Sequence, residues 1–298
     1  MPTVQDFLNI LQHITPEDLA EDWDNVGLLV GNPQQTVQRI LLALDPSCSL
    51  MDLACSGRYD LVITHHPIIF RPLRSLRTDT PNGRFIARAT GAGISVIACH
   101  TNFDAIEGGV SDILATALGL TGTQPLIQTR KGCDPTCGLG RIGMYPLAVS
   151  AETFLASLQQ ACAPPWILEA GQRPQQVATV AVCGGSCSDL AETALCQGAD
   201  VFVTAEVKHS VARWAEDAGL WILDAGHFAT ENPAMSIFKN RLQQQALDLG
   251  WDITVDTASQ QSPLRLVWTG FPGIIPTKYI TTGRLWLPFP VTSCFFKH

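Results

Sequence analysis

Apolar residues in this chain fall into short runs bounded by turn residues. Ile40–Leu44, Leu61–Thr64, Ile94–Ala98, Val177–Val182, Val201–Thr204 and Trp221–Leu223 are such runs. Runs of about four to eight residues suit strands buried on both faces. Between several of them the apolar spacing turns helical, over Met51–Ser56, Arg84–Thr90, Val110–Leu118, Leu190–Gln197 and Val211–Asp217. Phe7, Leu8, Leu11 and Ile14 predict an opening helix. Thr15-Pro16-Glu17-Asp18 then reads as a second helix start: a Thr cap, Pro in the first position and acids in the first turn. Ala151–Ala161 predicts another helix, stopped by Ala163-Pro164-Pro165. Strands alternating with helices predict α/β layers. Residues 121–140, rich in Gly, Thr, Cys and Pro, read as a lobe boundary or a long loop.

Composition narrows the class. A chain of 298 residues predicts one large or two modest domains. Only 15% of residues are charged, which favours extensive burial, partly in an oligomer. The formal charge of −8 speaks against sequence-independent nucleic-acid binding, which needs a basic footprint. The start lacks a basic, apolar leader, and no run approaches the ~20 apolar residues of a membrane helix. The expectation is a cytoplasmic protein with no membrane partner and with reduced thiols. Among its ten cysteines, the pairs Cys133/Cys137 and Cys183/Cys187 lack zinc-ribbon spacing and read as buried or loop thiols. Trp23, Trp214, Trp221 and Trp251 read as core or interface residues. Ser262–His298 holds no acid and four basic residues, unlike the rest of the chain.

The polar residues that follow the apolar runs carry the chemistry. Asp45 follows the first, His65 and His66 the second, and Cys99, His100 and Asp104 the third. Glu206, Lys208 and His209 follow Val201–Thr204, and Asp224, His227 and Glu231 follow Trp221–Leu223. Open α/β sheets bind ligands at the carboxyl ends of their strands. Five of the seven histidines sit at such ends. His65 and His66 diverge at a strand end, so each ring can serve a different cation. His100 and Asp104, like His227 and Glu231, are four residues apart, one turn if helical. A carboxylate can bridge two cations, which a neutral imidazole cannot. His and carboxylate donors suit zinc, manganese or iron. His100 reads either as a donor or as a group orienting one. Lys208 and His209 read as loop-end groups, with substrate contact as the alternative. Gly184-Gly185-Ser186 reads as tight strand–helix packing, with an anion site at a helix start as the alternative.

Asp24–Gly31, Thr64–Pro67, His100–Asp104, Gly138–Gly143, Gly184–Ser186 and Gly226–Glu231 occur in one order. In these motifs the chain resembles, over about residues 4–257, the family of GTP cyclohydrolase 1 type 2 homologues, also called Nif-three-like dinuclear metal-binding proteins. The resemblance implies an α/β fold of two similar interlinked lobes with mixed sheets that enclose a metal site. Residues 1–121 would form the N-terminal lobe, 122–176 a connecting segment partly in the second lobe, 177–257 the C-terminal lobe and 258–298 an extension. It implies metal ligation by His65, His66, Asp104, His227 and Glu231, with Glu231 as bridge, and a ring-shaped homohexamer. Two divalent cations per chain would activate a water for hydrolysis of a small molecule, a guanine nucleotide in the cyclohydrolase version. With the carboxylates engaged, His100 is the first candidate for catalytic proton transfer, and Lys208 or Arg141 for phosphate contact. The alternative reading is a non-catalytic metal-binding or interaction protein forming a ring. Where the family has Thr-Gly-Asp, this chain has Thr204-Ala205-Glu206, and Cys187 stands where Gly is usual.

Overall fold

The computed structural model describes residues 1–128 and 134–267. Helix α1 (Val4–Ile14) begins at a reciprocal cap: the Asp6 amide donates to Thr3 Oγ1, and the Thr3 amide donates to the Asp6 carboxylate. Its Phe7, Ile10 and Leu11 are buried. The chain continues through β1 (Gly27–Val30), β2 (Arg39–Ala43), α2 (Cys48–Ser56), β3 (Leu61–Thr64), α3 (Pro81–Ala92), β4 (Ser95–Ala98), α4 (Thr101–Ala105) and α5 (Val110–Ala117). Then come β5 (Thr121–Gln128), β6 (Gly138–Ser150), α6 (Ala151–Cys162), β7 (Leu168–Ala170) and β8 (Gln176–Val182). The last elements are α7 (Ala191–Cys196), β9 (Val201–Thr204), α8 (His209–Ala218), β10 (Trp221–Asp224), α9 (His227–Glu231), α10 (Pro233–Asp248) and β11 (Thr254–Thr257).

Two mixed sheets result. The first has the order β1-β4-β3-β2-β11, parallel except for the edge strand β1. The second has the order β5-β6-β8-β9-β10-β7, with β8, β9 and β10 parallel and the others antiparallel to their neighbours. The central strands are apolar because both faces are covered; β3, β4 and β9 are buried along their whole length. Register keeps the strand ends level. Thr64 pairs with Ala43 and Ala98, and Val203 pairs with Val182 and Leu223. The polar residues that follow these strands therefore collect at one end of each sheet.

The sheets exchange helices. Phe238, Leu242 and Ala246 of α10 pack with Ile40, Leu42 and Leu61 of the first sheet. Leu114 and Ala115 of α5 pack with Val177, Val180 and Val201 of the second. Each helix thus leaves the sheet whose last parallel strand precedes it and covers the other, which is the physical content of two interlinked lobes.

The structure departs from the sequence reading in three places. The helix expected from Thr15 is one 3-10 turn, Glu17–Leu19. It stops because the following chain is held across the sheet end: the Glu21 amide donates to Thr101 Oγ1, and Asp24 accepts from Thr101 and His100. Residues 121–128 and 138–150 are strands of the second sheet rather than a plain loop. The chain that was expected to stay with the C-terminal lobe to residue 257 returns at β11 to pair with β2. Cys133 and residues 268–298, most of the expected extension, lie outside the described residues. Among the described residues, no helix is long and apolar enough to cross a membrane.

Candidate metal centre

Four imidazoles are held in the same manner. His65 Nδ1 is 2.9 Å from the Cys99 carbonyl oxygen, His66 Nδ1 2.8 Å from Asp45 Oδ1, His100 Nδ1 2.8 Å from Asp24 Oδ1, and His227 Nδ1 2.9 Å from Glu206 Oε1. A carbonyl or a carboxylate accepts, so each Nδ1 carries the proton and donates it. In its neutral form each ring then turns an Nε2 lone pair the other way, the arrangement usual for metal-ligating histidines. The rings are neighbours: the His65 centroid lies 5.0 Å from that of His66 and 5.1 Å from that of His100, and His66 lies 5.1 Å from His227.

Acceptor atoms converge between the rings. His66 Nε2 and His227 Nε2 are 3.2 Å apart, and Glu231 Oε2 is 3.2 Å from the first and 3.1 Å from the second. On the other side, the buried His65 Nε2 lies 3.7 Å from Asp104 Oδ1 and 3.8 Å from Glu231 Oε1. The two oxygens of Glu231 thus face different sets of donors. His65 Nε2, Asp104 Oδ1 and Glu231 Oε2 are buried atoms without a well-aligned hydrogen bond. Such atoms are costly to bury unless something joins them. A divalent cation is the group whose chemistry this donor set fits. Two overlapping groups could hold a metal ion: His65, His66 and His100, and His66, His227 and Glu231.

The electrostatics of the chain alone agree. Burial opposes charge on His66, but Asp45 and Glu231 outweigh it and raise the imidazole to about 10. Burial likewise opposes charge on His227, and Glu231 outweighs it, raising that ring to about 9. Burial pushes Asp104 up to about 7, with the Glu231 charge adding to it. Burial would raise Glu231 too, but His227, His65 and His66 hold it well below the ordinary carboxylate range. Without a cation, protons occupy the position between Glu231 and its imidazoles. A metal would have to displace them.

Local structure explains how the parts meet. His227 and Glu231 open and close the single-turn α9, so one turn separates them, as the spacing predicts. Asp104 lies on α4, also one turn past His100. Gly185 allows Glu231 to close in: it has φ +71°, and a Cβ there would lie 2.1 Å from Glu231 Oε1 and 3.2 Å from His227 Nε2. The glycine turn thus answers to the carboxylate rather than to strand–helix packing alone.

The sequence profile of the DUF34/NIF3 (NGG1p interacting factor 3) family matches residues 2–263. The chain belongs to the DUF34/NIF3 family. Its relatives include proteins named GTP cyclohydrolase 1 type 2 homolog. The one from Streptomyces coelicolor is 33% identical over 280 residues, 93% of this chain and 97% of the relative. The one from Nostoc is 33% identical over 215 residues, 72% of this chain and 80% of the relative. Among solved structures, a Bacillus cereus protein related to NIF3 superposes with a TM-score of 0.84 at 23% identity, covering 89% of this chain and 99% of that one. A hypothetical protein of Staphylococcus aureus superposes with a TM-score of 0.82 at 27% identity, covering 90% and 100%. The mixed α/β architecture of two sheets is therefore that of the NIF3 family.

Within this NIF3 chain other expected contacts fall elsewhere. Arg141 is buried and committed: its guanidinium donates to the carbonyls of Gly138, Gly140 and Ile106 and pairs with Asp112 at 2.7 Å. Lys208 pairs with Asp189 at 2.7 Å on the surface, and His209 is exposed at the start of α8. Neither Arg141 nor Lys208 reaches toward the histidines as a free cation. Cys183 is buried at the end of β8, and the Cys187 thiol donates to the Gly184 carbonyl. Trp221 is core, but Trp23 is 53% exposed. Three supporting carboxylates had no assigned orienting role from sequence: Asp24, Asp45 and Glu206. For Asp45 and Glu206 the signal was their place just after a strand. Asp24 precedes β1, and only the fold brings it to His100.

Proposed function

We propose that this chain is a metal-dependent hydrolase with a two-cation centre. His65 and Asp104 would hold one cation, His66 and His227 the other, and the Glu231 carboxylate would serve both. The observation that carries this reading is the division of Glu231, with Oε2 3.2 and 3.1 Å from His66 and His227 and Oε1 3.8 Å from His65. Two divalent cations bound there would supply an activated water and offset the negative charge that develops on the attacked group. The chain's own residues do the rest. Asp45, Glu206 and the Cys99 carbonyl orient the imidazoles by accepting from Nδ1. His100 is the proton carrier, taking or returning a proton at Nε2. Asp24 supports it: burial would raise its carboxyl, but the hydrogen bonds from His100 and Thr101 outweigh that and hold it at about 2. It stays ionised and balances an imidazolium at His100.

The names of the relatives point to a guanine nucleotide as the small-molecule substrate, with water opening the ring. The ring-shaped homohexamer belongs to the same reading, and sedimentation of the full chain tests it. The centre itself is tested by elemental analysis of untagged protein. About two cations per chain are expected, falling in Glu231→Ala and His65→Ala. No bound metal after loading with manganese, iron or zinc under reducing conditions overturns the reading. Turnover of GTP or a phosphoester by the loaded protein is expected to vanish in His66→Ala with an unchanged circular dichroism spectrum. Full metal content with no turnover of either substrate class would instead favour a binding protein.

A further inference from the structure

Beside the histidine cluster lie two large aromatic residues that the core does not use. Trp23 is 53% exposed and Phe70 is 39% exposed. Their ring centroids are 5.7 Å apart, edge to face. Both also meet His100 edge to face, at 6.1 Å from Trp23 and 6.3 Å from Phe70. His100 in turn lies 5.1 Å from His65 and 5.5 Å from His66. Any flat group resting on the aromatic pair is therefore one imidazole away from the donor atoms.

The pair stands on fixed backbone. Asp24, next to Trp23, is buried and hydrogen-bonded to His100 and Thr101. The Asn25 side-chain amide donates to the carbonyl of Ile69, next to Phe70. The two aromatic residues are thus tied to each other and to the cluster, and a platform set in advance costs a ligand little ordering. Single exposed aromatic residues are ordinary; a coupled pair at the mouth of a buried polar cluster is not.

Charge divides the surroundings. From Phe70 the chain runs exposed through Arg71, Arg74 and Arg77 before its first acid, Asp79. That concentrates three of the 19 basic residues of a net-acidic chain in one short segment. Arg77 is paired with Asp79, whereas the Arg71 guanidinium carbon lies 5.4 Å from the Phe70 centroid. The segment on either side of Trp23 in the chain lines a cavity of about 610 Å³ with Glu17, Asp18, Glu21 and Asp24. There the carboxylates of Glu17, Asp18 and Glu21 repel anions and can accept hydrogen bonds from N–H groups.

From this arrangement we infer that Trp23 and Phe70 form a stacking platform for a planar, N–H-bearing heteroaromatic ring, whose phosphate is received by Arg71 and Arg74. The inference rests on the two-cation reading only for why such a ring comes there, and it gives that centre its substrate-selecting residues. It also supplies the phosphate contacts that the committed Arg141 and Lys208 do not.

Equilibrium dialysis of the full chain tests it, with guanosine 5′-monophosphate, guanosine and ribose 5-phosphate as probes, before and after metal loading. The nucleotide is expected to bind tightest. Trp23→Ala should weaken it about ten- to hundredfold, the range for loss of one base-stacking side chain, and Trp23→Phe should restore most of the loss. Arg71→Ala with Arg74→Ala should lower nucleotide affinity to that of guanosine and leave guanosine binding unchanged. Equal nucleotide affinity in Trp23→Ala and the parent chain overturns the inference, as does ribose 5-phosphate binding as tightly as the nucleotide. A fall in oligomer mass in the Trp23→Ala, Phe70→Ala double variant overturns it too, since a second copy of the chain would then cover the platform. Metal content separates the two readings: a full complement with no nucleotide binding sinks this inference alone. Nucleotide binding that depends on Trp23 in a chain that takes up no metal sustains it and sinks the two-cation centre.

Discussion

The two lobes repeat one plan and spend it differently. β1-β4-β3-β2 in the first sheet corresponds strand for strand to β7-β10-β9-β8 in the second, each with an antiparallel edge and three parallel strands. After the last parallel strand each lobe carries a histidine and, four residues on, a carboxylate: His100 with Asp104, and His227 with Glu231. After the middle strand they diverge. Thr64 is followed by His65 and His66, and Thr204 by Ala205 and Glu206. The first lobe offers two Nε2 donors there, while the second offers a carboxylate that orients His227. After the first parallel strand, the first lobe provides Asp45, which orients His66, and the second provides Gly184-Gly185, which leaves room for Glu231. Equivalent backbone positions thus supply donors, supports or empty space according to the side chain.

The sharpest way to break the comparison is through the exchanged helices. Phe238 of α10 is buried and stacks on Phe103 of α4, with centroids 4.6 Å apart, next to Asp104. Phe154 of α6 is equally buried in the second lobe. Truncating either to Ala should cost about 3–5 kcal/mol, read from denaturant midpoints. Only Phe238→Ala should also weaken metal binding. Both proteins should unfold in a single transition, because α5 and α10 tie the sheets together; two separate transitions would show that the exchange does not couple them.

Gly185→Ala comes next. Its Cβ would collide with Glu231 Oε1, and its φ of +71° disfavours any side chain. Metal affinity measured by competition with a chelator should fall about hundredfold or more, beyond the usual loss for a supporting residue. The supporting carboxylates should follow in order of burial. The Asp24 side chain is 0% exposed, Asp45 40% and Glu206 57%. Asp24→Asn, Asp45→Asn and Glu206→Gln should therefore lose activity or metal affinity in that descending order, within about ten- to hundredfold. The reverse order would mean that burial does not set the strength of these supports.

The smallest effect is on pH dependence. His66 and His227 stand at about 10 and about 9 in the folded chain against 6.5 unfolded. The stability they contribute to cation-free protein is complete below pH 6.5 and is lost as pH rises through 9 and 10. Asp104, raised from 3.8 to about 7, has the same sign, but its effect develops between those values, mostly below that window. The Tm of cation-free protein should drop between pH 6.5 and 10, and metal-loaded protein should lack this drop. Calorimetry in buffers of differing ionisation enthalpy should register proton release on metal binding. A flat Tm would mean that the imidazoles hold no extra protons.

Much of this was legible along the chain. The runs at Leu61–Thr64 and Val201–Thr204 coincide with β3 and β9, because strands buried on both faces must be apolar throughout. The repeated His-x3-acid spacing was visible as well. The short helix at Glu17–Leu19 and the antiparallel strands β5 and β6 were not, since tertiary hydrogen bonds and sheet pairing overrode local preference. Asp24 carried no spacing signal toward His100, 76 positions away. Trp23 read as core or interface from its type alone, and its exposure is visible only in the fold.

What the sequence by itself determined is the set of parts: which segments are strands, and that histidines and carboxylates follow them, because hydrophobic periodicity and turn chemistry are local. What only the tertiary structure decided is which parts meet. The return of α10 and β11 to the first sheet, the convergence of Glu231 on imidazoles from both lobes, and the open faces of Trp23 and Phe70 depend on how two sheets pack. Packing is a property of surfaces built from distant segments, and no local pattern encodes it.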